Sequence, residues 1–268
     1  MVDNLDPSMR FPRFRGKHAL PSAIHPSEHQ AYVRERAPNA GLDDCAGVIL
    51  LYQSSVLRRT ISQYQPSLPE DWCRGELRFI AHEGKRVALC GGFGVGAPAA
   101  ALVLEQLVSL GAPAVITVGT AAGLQPSLSA GDAVLCNRAL RDEGTSYHYA
   151  PPDEFACADS DLTEAFGRAL RMKALCYQRG DTWTTDAPYR ETAAEVDSYQ
   201  QRGLLTADME SSAVFTVARH RGIPAAAGMA VADSLAKRSP RTFDPRTVVT
   251  LDRLVEGALT TLACHPGA

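Results

Sequence analysis

Residues 87–120 read VALCGGFGVGAPAAALVLEQLVSLGAPAVITVGT, and this stretch decides the fold. VALC is a short continuous apolar run, the pattern of a strand buried on both faces. GGFGVGAPAA is a glycine-rich turn, and AAALVLEQLVSLG is a helix closed by Gly111 with Pro113 just beyond. AVITVGT comes next as a second strand. Strand, tight turn, helix and strand form a βαβ unit, whose two strands run parallel.

The same alternation extends outward. AGVILLY at 46–52 is another apolar strand, and LRFIAHEGKRVALCGG gives two strands around a turn at His82–Lys85. GDAVLCNRAL reads as a strand, DSDLTEAFGRALRMKA as a helix, and RGDTWTTDAPYRET as a polar excursion. A last helix runs from about Pro245 to Leu262. Strands alternating with helices predict an α/β fold with a largely parallel central sheet. Residues 1–45 are expected to form an irregular N-terminal arm with a short helix at SEHQAYVRER, and residues 46–268 a single α/β domain. There is no internal repeat, low-complexity tract or linker.

The 268 residues are 45% hydrophobic and 21% charged, the balance of an ordinary globular protein. With 27 basic and 30 acidic side chains, the net charge of −3 gives no electrostatic reason for a nucleic acid or anionic membrane partner. No run approaches the ~18 apolar residues of a transmembrane helix, and the N-terminus lacks an apolar signal core. A cytoplasmic location is expected. The seven cysteines, Cys45, Cys73, Cys90, Cys136, Cys157, Cys176 and Cys264, never form C-x-x-C. Reduced, mostly buried thiols are expected, with neither disulfides nor a metal site.

Four places carry candidate chemistry. Gly92, Gly94 and Ala97 fit G-x-G-x-x-[GA], but the second strand ends at Gly119-Thr120 with no acid for ribose until Asp132, so a dinucleotide site is a minority reading. The glycines still imply a backbone whose amides face an anion or polar ligand. Gly119-Thr120 lies at a strand end, where α/β folds collect ligands, although a plain tight turn reads equally well. Glu210 begins a helix capped by Asp208 or Thr206, and a carboxylate there is favoured by the helix dipole. Yet Glu210 shares the apolar face of Val214 and Val217, so it must meet a partner or lose its charge. Asp233 ends the strand AAAGMAV, either as an N-cap for the segment after it or as a desolvated proton donor. Together, Glu210 and Asp233 frame one cleft at the sheet's edge.

GGFGVGAPAAALVLEQLVSLGAPAVITVGTAAGLQPSLSAGDAVL, with ADMESSAVFTVA and GMAVADSL, resembles the purine nucleoside phosphorylase and uridine phosphorylase superfamily from about residue 46 onward. The resemblance implies a three-layer α/β fold, its mixed central sheet partly closed as a barrel and flanked by helices. It also implies a homo-oligomer (dimer, trimer or hexamer) with shared active sites. The implied reaction cleaves a purine-type nucleoside with inorganic phosphate, without cofactor or metal, to give free base and pentose 1-phosphate. Met209 and Glu210 match the family's sugar-binding pair, and Asp233 matches the Asp that protonates a purine at N7. Arg246 matches an Arg that assists this Asp, and Trp183 falls where an aromatic ring stacks on the base. Uridine phosphorylases read uracil with a Gln and an Arg that here are Ala187 and Tyr189.

The phosphate side departs from the family pattern. Thr120 is present, the mid-sheet Arg is Thr117, and the G-D-P-x-R loop is replaced by LYQSSVLRR. A one-residue insertion brings Arg58 to the loop Arg's place, and Arg74 is the candidate donated across an interface. His25 (or His18) matches a His brought by a neighbouring subunit to the 5′ group. Hydrolytic relatives, such as methylthioadenosine nucleosidase and futalosine hydrolase, also lack the mid-sheet Arg but use a Glu where this chain has Gln53, Ser54 and Ser55. A nucleoside hydrolase, a non-catalytic nucleoside-binding homologue and a dinucleotide-dependent oxidoreductase are the competing expectations.

Overall fold

The structure is a computed structural model that describes residues 16–68, 74–237 and 243–264, with Pro12, Phe14 and Trp72. Helix α1 (Pro26–Arg36) forms where a short helix is predicted, begun by Pro26 and a capping box between His25 and Glu28. Strand β1 (Cys45–Leu51), helix α2 (Ser54–Tyr64) and the hairpin β2 (Glu76–His82) and β3 (Lys85–Gly91) come next. Helix α3 (Ala97–Ser109) and strand β4 (Val115–Gly123) continue the predicted βαβ stretch. Beyond it come β5 (Ala133–Asp142), β6 (Phe155–Cys157), α4 (Ser160–Met172), β7 (Tyr177–Thr185) and α5 (Ala193–Gln201). The chain then runs through β8 (Thr206–Asp208), α6 (Ser211–Arg221), β9 (Ala225–Ser234) and α7 (Pro245–Cys264).

These strands form one mixed sheet in the order β2-β3-β1-β4-β8-β7-β5-β6. Strand β9 pairs with both β4 and β5, so β4, β8, β7, β5 and β9 close into a barrel. β1 lies between β3 and β4, parallel to both, and every residue of it is buried. Its alternation divides the core. Val48 and Leu50 pack in the cluster with α3 and α6 residues, while Ile49 and Leu51 pack in the cluster with α4 and α7 residues. Each such side chain contributes ~1.5–3 kcal/mol by leaving water. Helices on both faces explain why these strands are apolar throughout.

The register aligns the carboxyl ends of the parallel strands. Leu51 pairs with Gly91 and Val118, and Val118 pairs with Gly228. At this edge Tyr52-Gln53 and the glycine turn leave the sheet, whereas β4 does not end at Gly119-Thr120 as expected: it runs on to Gly123, paired with β9 from Gly119–Met229 to Gly123–Ser234.

Three expectations change. The supposed polar excursion is largely strand β7: Thr182 and Thr184 are fully buried, and Thr182 Oγ1 donates to the Thr206 carbonyl at 3.0 Å. Threonine suits a strand whose hydroxyls find partners inside a barrel, so polarity there does not mean a loop. LYQSSVLRR is not a plain loop, because α2 starts at Ser54 and buries Val56, Leu57 and Thr60. The thiols are not mostly buried: Cys45, Cys90 and Cys136 are, but Cys157, Cys176 and Cys264 are exposed, and Cys73 lies outside the described residues. Among the described residues no helix is long and apolar enough to cross a membrane, and no group of metal-ligating side chains gathers.

Candidate active site

The site forms where the barrel meets the flat half of the sheet. Ala122 of β4 pairs with Asp233 of β9 on one side and with Ala207 of β8 on the other. The chain beyond Ala207 supplies Asp208, Met209 and Glu210. Asp233 and this acidic segment therefore flank one strand, two ladder spacings or roughly 10 Å apart. The ladder thus sets Asp233 and the acidic segment on either side of β4, while the cavity beside Glu210 is lined without Asp233.

Glu210 is the N-cap residue of α6, one position before the expected first turn. The cap is made by Asp208, whose Oδ2 accepts from the Ser211 amide at 2.8 Å and the Glu210 amide at 3.3 Å. Its Oδ1 accepts from the Thr184 hydroxyl at 2.6 Å. Thr206, the other expected cap, instead faces Thr182 inside the barrel at 3.0 Å. With Asp208 serving the helix, Glu210 is free to turn toward the glycine loop. Gly96 N–H donates to Glu210 Oε1 at 2.6 Å.

The glycine turn receives a carboxylate of its own chain. Gly92, Gly94 and Gly96 all have positive φ, at 74°, 104° and 93°, which a side chain would strain. That backbone aims the Gly96 amide at Glu210. Glu210 is 7% exposed, and burial raises its pKa from 4.5 to about 8, with the nearby Asp208 charge adding and the Gly96 amide opposing. Asp208 is also raised by burial, against the hydrogen bonds from Ser211 and Thr184. Two buried carboxyls this close share a site where raised pKa values mark chemistry. Met209 is half-buried, and its Cε lies 3.9 Å from where a Cβ on Gly96 would be, so it borders the same turn.

The opposite wall is neutral. Gln53 Nε2 donates to Thr120 Oγ1 at 2.9 Å, and Thr117 Oγ1 donates to the Tyr52 hydroxyl at 2.6 Å. Burial raises the Tyr52 pKa well above its ordinary value, and the Glu210 charge raises it further. Tyr52, Thr117, Gly119, Thr120, Asp208 and Glu210 surround a residual cavity of about 10 Å³.

A larger cavity of about 970 Å³ is bordered by Lys17, His18, His25, Pro98, Thr145 and His148. Glu210, Asp233 and Thr120 do not line it. The two regions are joined through the chain. Glu143 Oε1 accepts from the Ser212 hydroxyl at 2.9 Å, beside Glu210, and its Oε2 accepts from the Thr145 amide at 2.5 Å, on the cavity wall.

The remaining expected residues lie apart. Trp183 is 1% exposed, faces away from Thr182 and Thr184, and packs with Leu124, Leu140, Val196 and Leu204. Tyr199 lies against its ring at 4.8 Å, and its Nε1–H donates to Asp142 at 2.9 Å. No face of the indole is open to a base, because the period of β7 turns it into this core. Arg246 is exposed and pairs with Asp244 at 2.7 Å. Its neighbour Thr247 donates to the Val231 carbonyl at 3.0 Å, so the start of α7 is fixed two residues before Asp233. Arg58 is exposed on α2, and Arg74 is exposed near His29, whose pKa is lowered by burial first and by Arg74 second. His25 caps its own chain's α1, its Nδ1 accepting from the Ser27 amide at 3.2 Å.

Sequence reasoning missed the Tyr52–Thr117 bond and the Gly96–Glu210 bond. A tyrosine directly after an unbroken apolar strand was the available signal for the first. Nothing local links residues 114 positions apart for the second.

A sequence model described as Phosphorylase superfamily matches residues 61–263, and the chain belongs to that family. The chain is 33% identical over 148 residues to a guanosine phosphorylase of Halorubrum lacusprofundi, covering 55% of this chain and 61% of that one. It is 30% identical over 189 residues to a DeoD-type purine nucleoside phosphorylase of Bacillus cereus, covering 69% and 80%. A uridine phosphorylase of Escherichia coli is 27% identical over 157 residues, 53% of this chain and 62% of that one. The match thus spans about three-fifths of the length of the guanosine and uridine relatives. Among solved structures, the uridine phosphorylase of Vibrio fischeri superimposes with a TM-score of 0.68 at 26% identity, covering 81% of this chain and 90% of that one.

Proposed function

We propose that this protein cleaves the N-glycosidic bond of a purine-type nucleoside with inorganic phosphate, yielding free base and pentose 1-phosphate. The carrying observation is Glu210: a buried carboxyl, held by the Gly96 amide, on the segment that lies across β4 from Asp233. Paired sugar hydroxyls donate to the ionised form of such a group, and Met209 packs on the sugar's face. The matched relatives include both purine and uridine enzymes; Asp233 is what favours a purine.

The reaction balances on this chain's residues. A phosphate oxygen, oriented by Thr120, bonds to C1′ as the bond from C1′ to the base nitrogen breaks. The electron pair enters the purine ring, and Asp233 delivers its proton to N7, so the base leaves neutral. Arg246 steadies the segment beside Asp233. Arg58 supplies positive charge on the phosphate side, and Arg74 does so across a subunit contact in a homo-oligomer. The cavity carrying His25 receives the 5′ side of the nucleoside. Trp183 supports β7 from beneath, since both its faces are packed.

The test is base release from a panel of purine and pyrimidine nucleosides, with and without phosphate. Phosphate-dependent release of purines is expected. Release from pyrimidine nucleosides alone, or from none, overturns the proposal.

A further inference from the structure

We infer that Tyr52 selects the nucleophile: its phenol fills the place beside Thr120 that phosphate must occupy, and phosphate enters only when the ring leaves. This rests on the reading of Thr120 as the nucleophile side of the site. Three contacts fix the phenol. Thr117 Oγ1 donates to its hydroxyl at 2.6 Å, and Phe93 meets its ring edge-on, with centroids 5.7 Å apart and planes at 80°. Its Cδ2 lies 3.0 Å from where a Cβ on Gly119 would stand, so the missing side chain of Gly119 is what lets the ring lie against β4.

With the ring in place the cavity between Thr120 and Glu210 is about 10 Å³. That is the lower limit for a single water. A phosphate, with four oxygens, exceeds it several-fold. The charge of the walls points the same way. The residues lining this cavity offer hydroxyls and the buried carboxyls Asp208 and Glu210, and none of them is a cation. A dianion placed there meets carboxyl groups at low dielectric with no cation in the cavity lining to offset them. Gln53 adds a further requirement. Its amide N–H is committed to Thr120, and its Oε1 is buried without a hydrogen-bond partner. A buried acceptor of this kind is satisfied by a ligand that carries a proton, such as water or a protonated phosphate. Turning Tyr52 away makes the room that phosphate needs and frees the Thr117 hydroxyl to donate to it.

The experiment is calorimetric titration of inorganic phosphate into the wild type and the Tyr52→Ala, Tyr52→Phe and Thr117→Val variants, with base release then measured on each. An occluded site raises the apparent dissociation constant by the inverse of the open fraction, so Tyr52→Ala is expected to bind phosphate at least about tenfold more tightly. Tyr52→Phe removes the bond that pins the phenol and keeps the Thr117 donor, so an intermediate gain is expected; Thr117→Val removes the pin together with a phosphate donor, so its gain is expected to be smaller. They also keep the test alive if Tyr52→Ala does not fold. Wild-type affinity equal to that of all three variants overturns the inference. Tighter phosphate binding in the variants, without base release from any nucleoside, leaves Tyr52 as the selector and sinks the proposed reaction instead. Phosphate-independent release by the wild type that becomes phosphate-dependent in Tyr52→Ala supports the selection directly and makes water the native nucleophile.

Discussion

The two walls of the cleft are built on opposite plans. On one side, Asp208 and Glu210 are buried acids, each held by backbone amides or hydroxyls and each with a raised pKa. On the other, Tyr52, Gln53, Thr117 and Thr120 form neutral pairs without a charge among them. The acidic wall is strained toward a ligand, because a carboxyl kept from water gains by meeting hydroxyl donors. The neutral wall meets its own hydrogen bonds except at Gln53 Oε1, so it yields to a bulky ligand only if something moves.

The largest expected consequence of this contrast is in stability. A carboxyl with pKa about 8 when folded and 4.5 in its ordinary state holds its proton in the fold while the unfolded chain has lost it. The stability this gives is fully present below about pH 4.5 and is lost as pH rises through 8, a change on the order of a few kcal/mol. Asp208 pulls in the same direction. Denaturant melts of wild type and Glu210→Gln across this range should show a steep loss in the first and a flatter line in the second. Parallel lines would show that the acidic wall carries no such strain.

Catalysis gives the next measure. Asp233→Asn is expected to lower kcat on purine nucleosides by about a hundredfold, within the usual range for a lost general acid. It should spare ribosides whose leaving group needs no proton. Equal losses on both substrates would assign Asp233 to structure. Glu210→Ala should reduce kcat/KM at least about tenfold, or ~1.4 kcal/mol. Wild-type kinetics would put the sugar elsewhere.

Two smaller effects probe residues set apart from the walls. Trp183→Phe strands Asp142 without its donor and should destabilise by roughly 1–3 kcal/mol while leaving the nucleoside KM unchanged. A raised KM with unchanged melting would return the indole to the base site. Arg58→Ala should raise the phosphate KM by less than about fivefold, as befits an exposed charge. An unchanged phosphate dependence would make Arg58 a surface residue.

Much of the flat half of the sheet was legible, because β1, β3 and β4 are apolar runs between turn residues and α3 carries its own stop signal. The barrel half was not. β7 hides its strand character behind threonines that pair inside the barrel, and the three-residue β8 is too short to show a period. Glu210 was legible as an acid aligned with an apolar helix face, while Asp233 by position alone read first as an N-cap. The Asp208 cap was legible as well, but the Gly96 amide that holds Glu210 was not, since nothing local links two residues so far apart in the chain. Trp183 shows the converse: a residue type suited to stacking, turned away by strand alternation.

Phosphorolysis is tested most sharply by product stoichiometry on a purine nucleoside in phosphate buffer. Free base and pentose 1-phosphate should appear in equal amounts, with no free pentose. Base accompanied by free pentose, at a rate indifferent to phosphate, would contradict phosphorolysis.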